Sequence, residues 1–457
     1  MDSAPQSAVR TPIIAIVGRP NVGKSTLFNR FAGHRRALVE DSPGITRDRI
    51  AETVEVAGRR VIVVDTAGLD PDGRGELEGA VQAQAREAVA GADAILFVVD
   101  GKAGLLPEDE AIARTLRRSD RPLAVAVNKI DVPAHTERVS DFYALGLEPL
   151  VPTSAEHGTG AWDVLEWLVE ALPGAPPAEE EEGEGGEGGP LRVALVGRPN
   201  VGKSSLVNRL LGQERVVVSN VPGTTRDAID TPFELDGQPY VLIDTAGLRR
   251  PGRRTRTAER GSALMTVRSI ERAQLVLLVV DADEGFTDQD AAVARLVRDH
   301  GRAAVVLANK WDLVPGDRGA EVLESIRHGL RFMSDTPILT VSAMTGAHLS
   351  RVWSSVADVV RNAETRIPTA DLNRWLEDTV RRHEPSLARK GQKRKRPLKF
   401  FYATQTGIRP PTFVLFCTEP QAIQTSYRRF LENQLREAFG FEGTPVRLRL
   451  RARGEKV

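Results

Sequence analysis

Residues 18–26 read Gly18-Arg19-Pro20-Asn21-Val22-Gly23-Lys24-Ser25-Thr26, and residues 197–205 read Gly197-Arg198-Pro199-Asn200-Val201-Gly202-Lys203-Ser204-Ser205. Eight consecutive residues, Gly18 to Ser25, recur at an offset of 179. Both copies fit G-x-x-x-x-G-K-[ST], the pattern of a loop that wraps phosphate groups. Each follows an apolar run, Ile13–Val17 and Val193–Val196. Each precedes a helix-periodic one, marked by Leu27, Phe28 and Phe31 and by Leu206, Val207 and Leu210. Strand, Gly-rich loop and helix are the context the motif needs. The glycines let backbone N–H groups turn inward around anionic oxygens at a helix N-terminus. Lys24 and Lys203 would reach the β- and γ-phosphates, and Ser25 and Ser204 would place a hydroxyl on Mg2+. A chance Gly-rich turn accounts for one match, not for two identical ones.

Each loop heads a similar stretch of chain. Residues 12–173 alternate apolar strand candidates (Val61–Asp65, Ala94–Asp100, Leu123–Asn128) with amphipathic stretches, and residues 191–364 repeat them (Val241–Asp244, Leu275–Asp281, Ala304–Asn309). The pattern predicts two α/β domains, each a mostly parallel sheet flanked by helices. Residues 1–11 read as a short polar, flexible start rather than a signal peptide. Residues 174–190 are Glu-, Gly- and Pro-rich and read as a flexible acidic linker, a tether or a decoy for a basic module. From 365 the pattern changes: a helix over 370–383, strands over 400–404 and 412–418, a second helix, and a last strand over 446–451. This α-β-β-α-β order predicts a small α+β domain over 365–457.

Four further motifs name the nucleotide. Asn128-Lys129-Ile130-Asp131 and Asn309-Lys310-Trp311-Asp312 each end a buried-strand pattern. In this setting the carboxylate accepts two hydrogen bonds from guanine, from N1–H and the 2-amino group. Adenine has no such donor pair and would leave the carboxylate desolvated and unpaired. Ser154-Ala155 and Ser342-Ala343, each after another apolar strand, would present backbone N–H to guanine O6. Asp65-Thr66-Ala67-Gly68 and Asp244-Thr245-Ala246-Gly247 repeat at the same offset of 179. Their aspartates would bind Mg2+ through water and their glycine N–H groups would sense the γ-phosphate. Thr46 aligns with Thr225, within Pro43–Asp48 and Pro222–Asp227. These threonines would complete the Mg2+ shell only when the γ-phosphate is present.

Many GTPases follow Asp-x-x-Gly with a glutamine that orients the attacking water. This chain has Leu69 and Leu248 there. Apolar side chains cannot orient water, so slow intrinsic turnover is expected at both sites. Asn21 and Asn200 are candidates to hold a monovalent cation, K+, beside the phosphates; bracing of the loop is the alternative.

Net charge is zero but unevenly spread. Residues 366–457 hold 20 Lys+Arg against 9 Asp+Glu. A basic module on an acidic body points to a polyanionic partner. Lysine supplies only 10 of the 62 basic residues, and Lys24, Lys129, Lys203 and Lys310 sit in the nucleotide motifs. Four more, Lys390, Lys393, Lys395 and Lys399, share one basic run. The single cysteine, Cys417, lies in an apolar run and reads as a buried small hydrophobe. No apolar run approaches the roughly 20 residues that span a bilayer. A cytoplasmic monomer without membrane contact is expected.

The constellation resembles the EngA/Der family of bacterial double GTPases, with two tandem G domains and a C-terminal KH-like domain. The likeness covers nearly the whole chain. It implies hydrolysis of GTP to GDP and phosphate, and a role in maturing the large ribosomal subunit through GTP-controlled rRNA binding. It also adds weight to K+-assisted hydrolysis. The chain departs from an ordinary KH domain, which grips RNA with a basic G-x-x-G between two helices. The match here, Gly440-Phe441-Glu442-Gly443, carries an acid and reads as a helix cap and turn. RNA contact is expected instead from Lys393, Arg394, Lys395, Arg396 and Lys399, and from Arg447, Arg449 and Arg451, which period two places on one face. A solvated face or docking onto another domain is the alternative. Residues 70–79 are acidic and 249–256 arginine-rich, so the two switch segments are expected to meet different partners. A nucleotide-gated RNA-binding scaffold, in which hydrolysis only resets binding, is the second reading.

Overall fold

The computed structural model of the chain describes residues 11–33, 50–66, 85–173, 190–213, 216–218, 230–244, 263–383 and 398–452. They form two compact units, one built on a first sheet and one on a second and third.

In the first unit, β1 (Ile13–Val17) feeds α1 (Lys24–Ala32). Then come β2 (Ala51–Val56), β3 (Arg59–Asp65), β4 (Ala94–Asp100), α2 (Pro107–Leu116), β5 (Leu123–Asn128), β6 (Leu150–Pro152) and α3 (Ala161–Ala171). The strand order is β2-β3-β1-β4-β5-β6. Every pairing is parallel except that of β2 with β3. The inner strands β1, Ile-Ile-Ala-Ile-Val, and β4, Ala-Ile-Leu-Phe-Val-Val-Asp, are buried along their whole length. Helix cover on both faces demands such unbroken apolar runs. α1 buries Leu27, Phe28 and Phe31, each worth about 1.5–3 kcal/mol. Phe31 also meets Trp162 of α3 edge-on at 5.3 Å.

The chain from residue 190 on repeats this plan with β7 (Leu191–Val196), α4 (Lys203–Leu211), β8 (Val216–Val218), β9 (Thr231–Leu235), β10 (Gln238–Ile243), α5 (Ala263–Arg272), β11 (Leu275–Asp281), α6 (Asp288–Asp299), β12 (Ala303–Asn309), α7 (Gly319–Gly329), β13 (Ile338–Thr340) and α8 (Ser350–Glu364). Its order is β13-β12-β11-β7-β10-β9-β8. In both sheets the first strand lies between neighbours reached in opposite directions. Its carboxyl end is therefore the topological switch point, where ligands of open α/β sheets bind. Both phosphate loops sit there.

β2 and β9 escape a search for apolar runs, because each alternates buried with more exposed residues, β2 at a sheet edge and β9 between β10 and the short edge strand β8. Each enters a hairpin whose two turn residues have positive φ: Ala57 and Gly58, Asp236 and Gly237. Asp-Gly between alternating segments is a strong hairpin signal.

The third sheet is β14 (Phe400–Gly407), β15 (Thr412–Cys417) and β16 (Arg447–Ala452), with β15–β16 parallel. It packs with α9 (Thr369–Arg382) and α10 (Thr425–Phe439) around Leu372, Leu376, Phe413, Leu415, Leu431 and Leu435. Cys417, the one cysteine of the sequence, is buried. Gly440 caps α10 with φ 72°, donating to Arg436 O at 2.8 Å. Gly443 then docks on the second sheet's domain: its N–H donates to Asp335 O (2.9 Å) and its carbonyl accepts from Ala304 N–H (2.8 Å). Arg436 pairs with Asp335 at 3.0 Å. The Gly440–Gly443 turn is thus a cap and a dock.

No helix among the described residues is long and apolar enough to cross a membrane.

Candidate functional site

Gly23 and Gly202 sit at φ 98° and 92°, immediately before α1 and α4. A Cβ at either would collide with the amide of Asn128 or Asn309. Neither helix has an acid in its first turn, whereas α2 carries Glu108, Asp109 and Glu110. The positive helix end is therefore left for an external anion. Asn21 and Asn200 adopt φ 64° and 66°, a left-handed conformation that asparagine tolerates.

The lysines bolt their loops. Lys24 Nζ donates to Gly18 O and Arg19 O, both at 2.8 Å, and Lys203 Nζ to Gly197 O and Arg198 O at 2.8 and 2.7 Å. An ammonium has three donors, so Lys24 retains one for a phosphate oxygen. Burial pushes its pKa down, against the pull of Asp65.

Asn128 and Asn309 tie each loop to the base pocket. Asn128 Nδ2 donates to Val22 O at 2.8 Å, and its Oδ1 accepts from Ala155 N–H at 2.8 Å. Asn309 makes the same pair with Val201 O (2.8 Å) and Ala343 N–H (3.0 Å). The backbone N–H groups expected at guanine O6 have acceptors within the chain. The N–H groups of Ser154 and Ser342 donate to Thr159 O and Ala347 O, and those of Ala155 and Ala343 to the asparagines.

Ser25 and Asp65 meet as two ligands of one Mg2+ shell should: Ser25 Oγ donates to Asp65 Oδ2 at 2.7 Å. The donor set, a hydroxyl and a carboxylate beside a phosphate loop, suits a hard cation. The second site differs. Among the described residues Ser204 and Asp244 share no hydrogen bond. Asp244 instead accepts from Ser269, and burial pushes its carboxyl up against the nearby Arg272.

Two acids in each domain escaped the reading of motifs. Asp100 Oδ2 accepts from Lys129 Nζ at 2.6 Å, and Asp281 pairs with Lys310 at 2.5 Å. Burial pushes the Asp100 carboxyl up, but Lys129 and the N–H groups of Ala103 and Lys102 together outweigh it and hold it low. Asp109 and Asp290, both 0% exposed, pair with Arg19 and Arg198 of the loops at 3.2 and 3.3 Å. The signal was the internal repeat itself, since acids recur at both places in both domains.

Asp131 lies beside Ser154 and Lys102, and Asp312 follows Trp311 in the short 3-10 turn (Trp311–Leu313) after β12. Ile130 is buried. Arg447 reaches toward Gly301 of the second domain. Arg449 and Arg451 have interaction partners within the chain as well. Expectations for Thr46, Ala67, Gly68, Leu69, Thr225, Thr245, Ala246, Gly247, Leu248, Lys393, Arg394, Lys395, Arg396, the segments 70–79 and 249–256, and linker residues 174–189 lie outside the described residues.

A family described as 50S ribosome-binding GTPase matches residues 13–129 and 192–310. The KH-domain-like C-terminal part of EngA bacterial GTPases matches residues 366–451. The chain is 46% identical over 446 residues to the GTPase Der of Syntrophotalea carbinolica, covering 97% of this chain and 99% of that one. It is 47% identical over 447 residues to that of Moorella thermoacetica, covering 97% and 99%. It is 48% identical over 448 residues to that of Pelotomaculum thermopropionicum, covering 98% and 99%.

Proposed function

The chain belongs to the EngA/Der family of GTPases, and from that membership we propose that it hydrolyses GTP at two sites and acts in assembly of the large ribosomal subunit through nucleotide-dependent binding of rRNA. The observation that carries this reading is the duplicated joint of phosphate loop, asparagine and base-pocket loop, made with the same partners in both domains. We assign the domains to 12–173, 191–364 and 365–457.

At each site the lysine stabilises charge on the transferring and leaving phosphates. Asp131 and Asp312 select guanine. Mg2+ would be held by Ser25 and Asp65 with Thr46, and by Ser204 and Asp244 with Thr225, supplying positive charge to the phosphates. Asn21 and Asn200 would hold K+, which would supply positive charge beside the phosphates where other systems use an arginine finger. Single-turnover hydrolysis is then expected to run faster in K+ than in Na+; equal rates would remove that role from the asparagines.

The polyanionic partner follows from the basic 366–457 segment. Co-sedimentation with large ribosomal subunits is expected to differ between GDP and a non-hydrolysable GTP analogue. Identical binding in both, or none in either, would contradict the proposal.

A further inference from the structure

We propose that Lys102 is a positioning residue of the first guanine site, holding the Asp131 carboxylate for the base, and that the second site lacks this device. The inference rests on the reading of Asp131 as the guanine acceptor. Lys102 is one of only two lysines, with Lys456, that lie outside both the nucleotide motifs and the 390–399 basic run. Its side chain is 50% exposed, yet Nζ stands 2.5 Å from Asp131 Oδ2. Ser154 Oγ donates to the other oxygen at 2.8 Å. A carboxylate offers about four lone-pair sites, so two fixed donors leave room for the two guanine N–H groups.

The backbone of Lys102 is fixed in turn. Its N–H donates to Asp100 Oδ1 at 2.9 Å. Asp100 also holds Lys129, which donates to Asn21 O at 2.8 Å. One chain of contacts therefore runs from the phosphate loop to the guanine acceptor. Glu156 and Asp100 are the other acids near the ammonium.

The second domain keeps the turn and changes the side chain. Asp283 N–H donates to Asp281 Oδ1 at 3.1 Å, so Asp283 occupies the position of Lys102. An acid there cannot pair with Asp312, and among the described residues Asp312 has no ion-pair or hydrogen-bond partner. The two sites thus present the same acceptor, one held and one not.

The test uses the full chain with Asp312→Asn, so that guanine binding reports the first site. GDP and IDP are titrated; inosine lacks the 2-amino donor, so their affinity ratio reads the second hydrogen bond to Asp131. Lys102→Ala should lower the GDP-to-IDP ratio by about two- to fivefold, as befits a half-exposed pair, and Lys102→Arg should restore it. In an Asp131→Asn chain, Asp283→Lys should raise the ratio at the second site. An unchanged ratio, or tighter GDP binding, in Lys102→Ala would overturn the proposal. If Asp131→Asn leaves guanine binding intact, the guanine reading itself fails instead.

Discussion

Lys24→Ala is expected to slow single-turnover GTP hydrolysis at the first site by about 10²–10³-fold, and Lys203→Ala to do the same at the second. Each ammonium is fixed before any ligand arrives, by two loop carbonyls at 2.7–2.8 Å. A donor held in place costs no reorganisation when charge moves along the phosphates. Lys24 is only 6% exposed, so its charge acts with little solvent screening. Alanine also removes the bolt across the loop, leaving Gly18 O and Arg19 O without a cation, so nucleotide affinity falls with the rate. Arginine should not rescue, because a planar fork cannot replace a compact point charge between those carbonyls. Single-turnover assays of each variant and of the pair check this. Rates within twofold of the parent chain in both single variants and the double would contradict the role.

Asp131→Asn should turn the first site from guanine to xanthine, and Asp312→Asn should do so at the second. A carboxylate offers only acceptors, which suit the two donors of guanine. An asparagine offers an acceptor and a donor, which suit N1–H and the 2-oxo group of xanthine. With guanine the variant loses one bond and sets a donor against a donor, so discrimination should change by about 10²–10⁴-fold. A single variant should then carry one guanine and one xanthine site. Competition binding with GDP and XDP measures it; retained guanine preference in both variants would remove the assigned role.

Much of this architecture was legible because the chain contains its own comparison. β4, β5 and β11 fall where unbroken apolar runs place them. α1 and α4 turn inward the residues that periodicity selected. β2 and β9 were not legible from apolar runs, since one face of each needs no apolar residue. The base pocket was half legible. Its motif aspartates and lysines stand out as words in the sequence. Their partners Asp100, Asp281 and Lys102 do not, because a single charged residue after a strand has no local signature. The use of Ala155 and Ala343 N–H by the asparagines depends on two loops meeting, which no local pattern encodes. The Gly440–Gly443 turn shows the converse case. Its acid and its position after a helix marked it as a cap, and it proves to be a dock as well.

Titration calorimetry of the unaltered chain with GTP or a non-hydrolysable analogue tests the central claim, that the repeat builds two separate guanine sites. Two nucleotides bound per chain, with no comparable uptake of ATP, is the predicted result. One nucleotide per chain at saturation, or ATP bound as tightly as GTP, would contradict it.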